Sequence, residues 1–315
     1  MINARQPLIE LRNLHRYFGE TRAVEDMSFE VYAGEVFGYI GPNGAGKTTS
    51  MRILATLDEP TAGDAFVDGF SVVDDPDRVR RRLGFMPDYF GTYQNVNVGE
   101  YLDFFARAYG LRSDERKQAI LSVMDFTQLD KLANKPIDGL SKGMKQRLCL
   151  GRTMIHNPSV LILDEPAAGL DPRARIELRE MISQLADLGK AVLISSHILT
   201  ELAEICDKVG IIEQGKLLAV GTVDEISAKT EAISRVRLRT LEDPQRLLGW
   251  FALRGDISEV IVEASVVTFN HDGDETAQAI LLREIIEADF SIIEFASKMK
   301  SLEDVFLHVT EGRVQ

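Results

Sequence analysis

The sequence predicts an α/β domain on a mixed, mostly parallel sheet with a helical insertion, followed by a small α+β domain. Three observations carry this reading. Short, largely apolar runs at Val36–Ile40, Val160–Leu163 and Ala191–Ser196 have the character of strands buried on both faces of a parallel sheet. Helical patterns separate them, and strands alternating with helices are the α/β signature. Beyond Gly221 the order changes to βαββαβ, the ferredoxin-like sequence of elements. At 315 residues the chain has room for about two domains.

The elements follow in order. Met27, Phe29 and Val31 alternate with Ser28, Glu30 and Tyr32, the period of a half-buried strand. Gly34 turns the chain into the run at Val36–Ile40, the glycines from Gly41 to Gly46 break it, and 47–57 reads as a helix. A short strand over 65–67 ends at the turn dipeptide Asp68-Gly69. From 97 to 153 the chain is helix-rich, with Leu102, Phe105, Ala106 and Tyr109 at helical spacing. After the run at Val160–Leu163, Asp171-Pro172 is a helix start, an N-cap acid with proline at the first helical position. Leu178, Met181, Ile182 and Leu185 form the apolar stripe of that helix, and Gly189 suits its end. The second region reads as strand 235–239, helix 244–253, strands 259–263 and 266–269, helix 276–288, strand 292–295 and a final helix over 302–309. The expected domains are 1–225 and 226–315, with the boundary inside 221–232.

Composition narrows the functional classes. Hydrophobic residues make up 45% and charged residues 27%, ordinary for a globular chain. The net charge is −13, and the acidic excess is shared by both halves, so neither is a basic module for gripping nucleic acid through its phosphates. Cys149 and Cys206 are the only cysteines, too few for a disulfide framework or a zinc site, and a reducing compartment is expected. No apolar run reaches the length of a membrane span, and the first residues lack the apolar core of a signal peptide.

Two segments carry chemistry. Gly41-Pro42-Asn43-Gly44-Ala45-Gly46-Lys47-Thr48 is a glycine loop between a buried strand and a helix. Its backbone N–H groups are free to curl round a phosphate, and the helix adds its positive end. Lys47 supplies charge for β- and γ-phosphates and Thr48 a hydroxyl for Mg²⁺. Val160-Leu161-Ile162-Leu163-Asp164-Glu165 places two acids at the carboxyl end of a strand, where ligands bind in open α/β sheets. Asp164 is suited to Mg²⁺ and Glu165 to deprotonating an attacking water.

Between them, Leu140-Ser141-Lys142-Gly143-Met144 resembles the signature motif of ABC ATPases, P-loop NTPases of the ATP-binding-cassette type. Phe18, before Gly19, is similar to the aromatic residue that stacks on adenine in that family, with Tyr17 as its rival. Gly169-Leu170-Asp171 resembles the D-loop, and His197 the switch histidine that contacts the γ-phosphate. The resemblance runs to about Glu225 and is closest to ATP-binding subunits of exporters whose permease is a separate membrane subunit. The closing segment from Ser301 to Leu307 also resembles the end of the small domain appended to such subunits. It implies ATP and Mg²⁺ as cofactors, with Thr49 beside Thr48 in the phosphate loop. It implies a head-to-tail homodimer in which Ser141 and Gly143 of one subunit face the ATP held by Lys47 of the other. It further implies a cytoplasmic protein peripheral on the membrane through its permease, with no nucleic acid partner.

Three departures stand out: Lys142 replaces a glycine of the signature, Met144 its glutamine, and Asp88 the Q-loop glutamine, which makes Asp88 a third candidate at the metal. Two alternatives stay open. One is a soluble ABC ATPase of translation, repair or cofactor assembly, against which stand the single cassette and the lack of sustained heptads between Lys47 and Asp164. The other is a nucleotide-gated module with little turnover, motivated by the three departures. Arg78, Arg80, Arg81 and Arg82 are expected to form a solvated face or to pair with Asp74, Asp75 and Asp77. The aromatics Phe90, Tyr93, Tyr101, Phe104 and Phe105 are expected to be helical core, with a permease groove as the rival reading. Leu247 to Phe251 is expected in the core of the small domain.

Overall fold

The computed structural model describes residues 6–89, 91, 95–198, 202, 204–222, 225–226 and 233–298. The chain divides into two compact units, Met1–Thr222 and Val223–Gln315.

The first unit holds two sheets. In the first, β1 (Ile9–Phe18), β2 (Thr21–Val31), β4 (Ala62–Val67) and β5 (Phe70–Ser71) are antiparallel in the order β2-β1-β4-β5. The alternation expected at Met27, Phe29 and Val31 is the inward face of β2. The second sheet contains β3 (Val36–Ile40), β6 (Leu83–Met86), β7 (Val160–Leu163), β8 (Ala191–Ser196), β9 (Lys208–Glu213) and β10 (Lys216–Gly221), ordered β10-β9-β3-β8-β7-β6. All its pairings are parallel except β9 with β10. The sequence reading did not find β1, β6, β9 or β10, whose apolar patterns are short or broken by charge. Helices α1 (Lys47–Leu54), α2 (Pro76–Arg82) and α6 (Pro172–Asp187) join these strands. Asp171 caps α6 as expected, its carboxylate accepting from the Ala174 N–H at 3.0 Å. Cys149 and Cys206 are both free thiols.

The helical insertion is α3 (Val98–Ala108), α4 (Ser113–Phe126) and α5 (Lys142–Met154). Asn97 and Glu100 close a reciprocal capping box at the start of α3, satisfying two donors that a helix end otherwise leaves free. The insertion has its own core, with Tyr101, Leu102, Val123 and Leu148 inside. Tyr101 is buried and Phe105 packs against that core, whereas Phe104 is 58% exposed; Phe90 and Tyr93 lie outside the described residues. On α2, Arg78 and Arg80 pair with Asp75 and Asp77, while Arg82 instead reaches Asp68.

His156 gives a test of this packing. It stacks on Tyr109 with ring centroids 3.7 Å apart. One ring nitrogen, Nε2, meets Leu83 O at 3.1 Å, and the buried Nδ1 has no partner among the described residues. Burial pushes its pKa down to about 4. The neutral ring is therefore favoured in the fold, and this contribution is complete above the unfolded value of about 6.5. It is lost as pH falls from there toward 4. The expected loss is on the order of 3 kcal/mol. Denaturant melts across this window should show it, and His156→Gln should flatten the curve.

The second unit contains β11 (Ile233–Thr240), α7 (Pro244–Phe251), β12 (Ile257–Glu263), β13 (Val266–Asp272), α8 (Glu275–Glu287) and β14 (Ile292–Lys298). Its antiparallel sheet is ordered β12-β13-β11-β14, which is the ferredoxin-like arrangement. Leu247 and Phe251 sit in its core with Val236, Phe269 and Ile285. The helix expected over 302–309 and the closing resemblance at Ser301 to Leu307 fall outside the described residues.

Candidate functional site

Strand order places the site. β3, β8, β7 and β6 are consecutive and parallel, so the segments leaving their carboxyl ends emerge along one edge. These segments are the glycine loop, the Ser195–His197 stretch, the Asp164-Glu165 pair and the Asp88 loop. All but the Ser195–His197 stretch meet at a pocket of about 200 Å³ lined by Ala23, Pro42, Asn43, Gly44, Ala45, Gly46, Lys47, Thr48, Thr49, Asp88, Asp164 and Glu165, and Ser195 and His197 join it through those two acids.

Two glycines are required by close approach. Gly46 has φ of +105°, and a Cβ there would collide with Ala23 O; one on Gly41 would collide with Ile212 O. The loop is thus pressed against β2 on one side and β9 on the other. Gly46 is also the N-cap of α1, so no side chain caps that helix and its first turn holds no acid. Lys47 is buried and donates to Gly41 O at 2.5 Å and Pro42 O at 3.2 Å. Burial lowers its pKa, and the nearby Glu165 and Asp164 carboxylates oppose that shift. Uncapped helix donors beside a buried ammonium make a donor set suited to a phosphate.

The acids are held by a continuous set of hydrogen bonds. Asp164, 1% exposed, accepts from Thr48 Oγ1 at 2.8 Å on Oδ2 and from Ser195 Oγ at 2.5 Å on Oδ1. Ser195 Oγ in turn accepts the Glu165 N–H at 2.9 Å. Glu165 Oε2 meets His197 Nδ1 at 2.8 Å. A hydroxyl and a carboxylate converging at Thr48 and Asp164 are hard oxygen donors that fit Mg²⁺, an ion that keeps several waters. Asp88 lines the same pocket. Among the described residues no three His, Cys, Asp or Glu side chains draw together as a metal cage.

The remaining candidates lie elsewhere. Phe18, 49% exposed at the end of β1, carries the Arg16 guanidinium 4.4 Å above its ring. Its rival Tyr17 is engaged, its hydroxyl 2.8 Å from His15 Nδ1. Ser141 is the N-cap of α5, accepting from Met144 N at 3.3 Å. Gly143 packs against Ala174 of α6. Neither Ser141 nor Gly143 lines the pocket. The departures also have places: Met144 packs on the core of the insertion, and the Lys142 ammonium fills the space beside Gly169. Sequence reasoning missed Ala23 and Ser195. Ala23 offers only a backbone carbonyl, which leaves no mark in sequence. Ser195 had a weak signal, a polar residue in an otherwise apolar strand end.

A family profile described as "ABC transporter" matches residues 24–168. The probable multidrug ABC transporter ATP-binding protein YbhF of Escherichia coli (strain K12) is 37% identical over 225 residues, 71% of this chain. The chain spans only 39% of that relative's length. The uncharacterized ABC transporter ATP-binding protein YxlF of Bacillus subtilis (strain 168) is 33% identical over 97% of this chain and 100% of its own. The Nod factor export ATP-binding protein I of Ralstonia nicotianae is 32% identical over 96% and 94%. Among solved structures, an ATP-binding subunit of an ABC transporter superposes with TM-score 0.65 at 31% identity, covering 71% of this chain and 93% of that one. A dimeric bacterial ABC transporter cassette superposes with TM-score 0.61 at 25% identity, covering 68% and 98%. With the profile spanning both the glycine loop and the paired acids, and with YxlF 33% identical over the whole of its own length, the chain belongs to the ABC transporter family of ATP-binding proteins.

Proposed function

We propose that the chain binds and hydrolyses ATP as the motor subunit of an export complex, driving transport through a separate membrane permease. The observation that supports turnover most directly is the linked set Thr48–Asp164–Ser195–Glu165–His197 beside the buried Lys47. Export is supported by the names of relatives that move multiple drugs or Nod factor. Among the described residues no helix is long and apolar enough to cross a membrane, which leaves the path for cargo to a partner. The subunit then works on the cytoplasmic face, held there by the permease.

In this reading the loop of Gly41, Pro42, Asn43, Gly44, Ala45 and Gly46 wraps the β- and γ-phosphates, with Lys47 as counter-charge and Thr49 beside it. Thr48 and Asp164 would hold Mg²⁺, with Asp88 as a third candidate at the metal. The ion, when bound, neutralises charge on the phosphate oxygens. Glu165 takes a proton from water as the water oxygen attacks the γ-phosphorus, and the bond to the ADP oxygen breaks. His197 fixes the Glu165 carboxylate through Nδ1. Phe18 stacks on the adenine once Arg16 gives way. Ser141 and Gly143 serve the ATP of a second copy in a head-to-tail dimer, in keeping with the dimeric relative. All these residues belong to the proposed catalytic domain, 1–225, with 226–315 as an appended domain.

Steady-state ATPase assay of the purified chain, followed by detergent extraction of its tagged form from membranes, tests the proposal. The expected result is Mg²⁺-dependent turnover and recovery of one polytopic membrane protein that changes that turnover. A chain that hydrolyses ATP but leaves membranes alone would overturn the transport part.

Asp88→Gln probes the third carboxylate. Three acids on one pocket repel one another, and a cation offsets this. The variant should need more Mg²⁺ for half-maximal ATPase rate, roughly threefold to tenfold, with ATP binding retained. Superimposable Mg²⁺ curves would leave Asp88 a loop residue only.

A further inference from the structure

We propose that Ser195 is a positioning residue for hydrolysis: its one hydroxyl holds Asp164 and Glu165 in a fixed mutual geometry. This rests on the roles assigned to those two acids above.

A serine hydroxyl has one hydrogen to give and lone pairs to accept with. An ionised carboxylate only accepts, so at 2.5 Å the hydrogen goes to Asp164 Oδ1. The Glu165 N–H then donates to the same oxygen at 2.9 Å. The direction of both bonds is forced. Thr48 holds the other Asp164 oxygen, but Thr48 is itself a candidate metal ligand. Ser195 is the hold on Asp164 that can persist when Thr48 turns to an ion.

The second bond bears on Glu165. Its φ is +48°, a left-handed conformation uncommon for residues with a Cβ. Strain of this kind persists where surrounding structure over-determines it, and the bond from its N–H to Ser195 is such a constraint. Sheet topology explains why position 195 has this reach. β7 and β8 are parallel neighbours with Leu163 opposite Ile194, so the residues that follow each lie side by side. Ser195 is fully buried. An apolar side chain there would strand an oxygen of Asp164 and the Glu165 N–H without partners.

On its far side Ser195 lines a cavity of about 290 Å³ with Ile182, Ile194, Leu202 and Ile205. Ser195→Thr and Ser195→Val are an isosteric pair that differ in the hydroxyl alone. Each is compared with the unaltered chain by Mg²⁺ titration of ATP binding in a calorimeter, by kcat and KM for ATP, and by thermal unfolding. Ser195→Val should lower kcat about tenfold or more and raise the Mg²⁺ requirement for ATP binding about fivefold, with KM for ATP little changed. Ser195→Thr should restore both to within about threefold of the unaltered chain. If valine and threonine give the same kcat and Mg²⁺ requirement, or differ only in unfolding temperature, the proposal is overturned. Should Ser195→Val be insoluble, Ser195→Ala takes its place against threonine. A lack of turnover in the unaltered chain overturns the hydrolysis reading, while the Mg²⁺ titration still decides on Ser195.

Discussion

Glu165→Gln should keep ATP binding and lower turnover by roughly 10²- to 10⁴-fold, the span that general-base catalysis supplies. The amide is the size of the carboxylate but cannot take a proton from water. The phosphate cradle is untouched, because Lys47 and Thr48 bond to Gly41, Pro42 and Asp164 and not to the Glu165 side chain. The backbone N–H of residue 165 still has Ser195 Oγ as its acceptor, so the turn is kept. With ATP no longer consumed, the proposed head-to-tail dimer should persist on a sizing column in the presence of Mg-ATP. Single-turnover assay with labelled ATP reads the chemistry, and turnover equal to the unaltered chain would remove Glu165 as the base. His197→Ala should show a smaller loss, since its contact with Glu165 at 2.8 Å orients the base without replacing it.

Lys47→Met should weaken ATP binding by about tenfold to a hundredfold, the cost of losing a hydrogen bond to a charged group. The same substitution should leave the stability of the nucleotide-free protein unchanged or slightly raised. Lys47 is buried, it donates to the carbonyl oxygens of Gly41 and Pro42, and burial depresses its pKa. The Glu165 and Asp164 carboxylates offset only part of the cost of burying this ammonium, which leaves it a liability until an anion arrives. Methionine keeps the apolar stem and removes that charge. Calorimetric titration with ATP and a thermal melt without it separate the two effects. A variant that loses both affinity and stability would show that Lys47 supports the fold, contrary to this account.

The comparison of Lys47 with Ser195 shows where legibility in the sequence ends. The glycine loop, its lysine and threonine, and the acid pair after Val160–Leu163 could be read because each is a local pattern. Gly46 is a glycine because its own backbone is left-handed, and Asp171 caps a helix whose proline follows at once. Likewise the apolar runs of β3, β7 and β8 declared their burial, and the βαββαβ order of the second unit was visible in its periodicities. Strands β1 and β6 were not: β1 carries Glu10, Arg12 and Arg16 among its apolar residues, and β6 is four residues long.

What only the tertiary structure decided is adjacency. The order β3-β8-β7-β6 is set by hydrogen-bond ladders between segments far apart in the chain, and no local pattern encodes which strand lies beside which. That order brings Ser195 to Asp164, His197 to Glu165 and Asp88 to the rim of the same pocket. Tertiary packing also sets the Lys142 ammonium beside Gly169. The sequence by itself determined which residues are chemically able to grip a phosphate and activate a water, because those abilities belong to side-chain type and local backbone freedom. Which of them share a hydrogen atom is a property of long-range strand pairing, where one residue of register moves a side chain to the opposite face of the sheet.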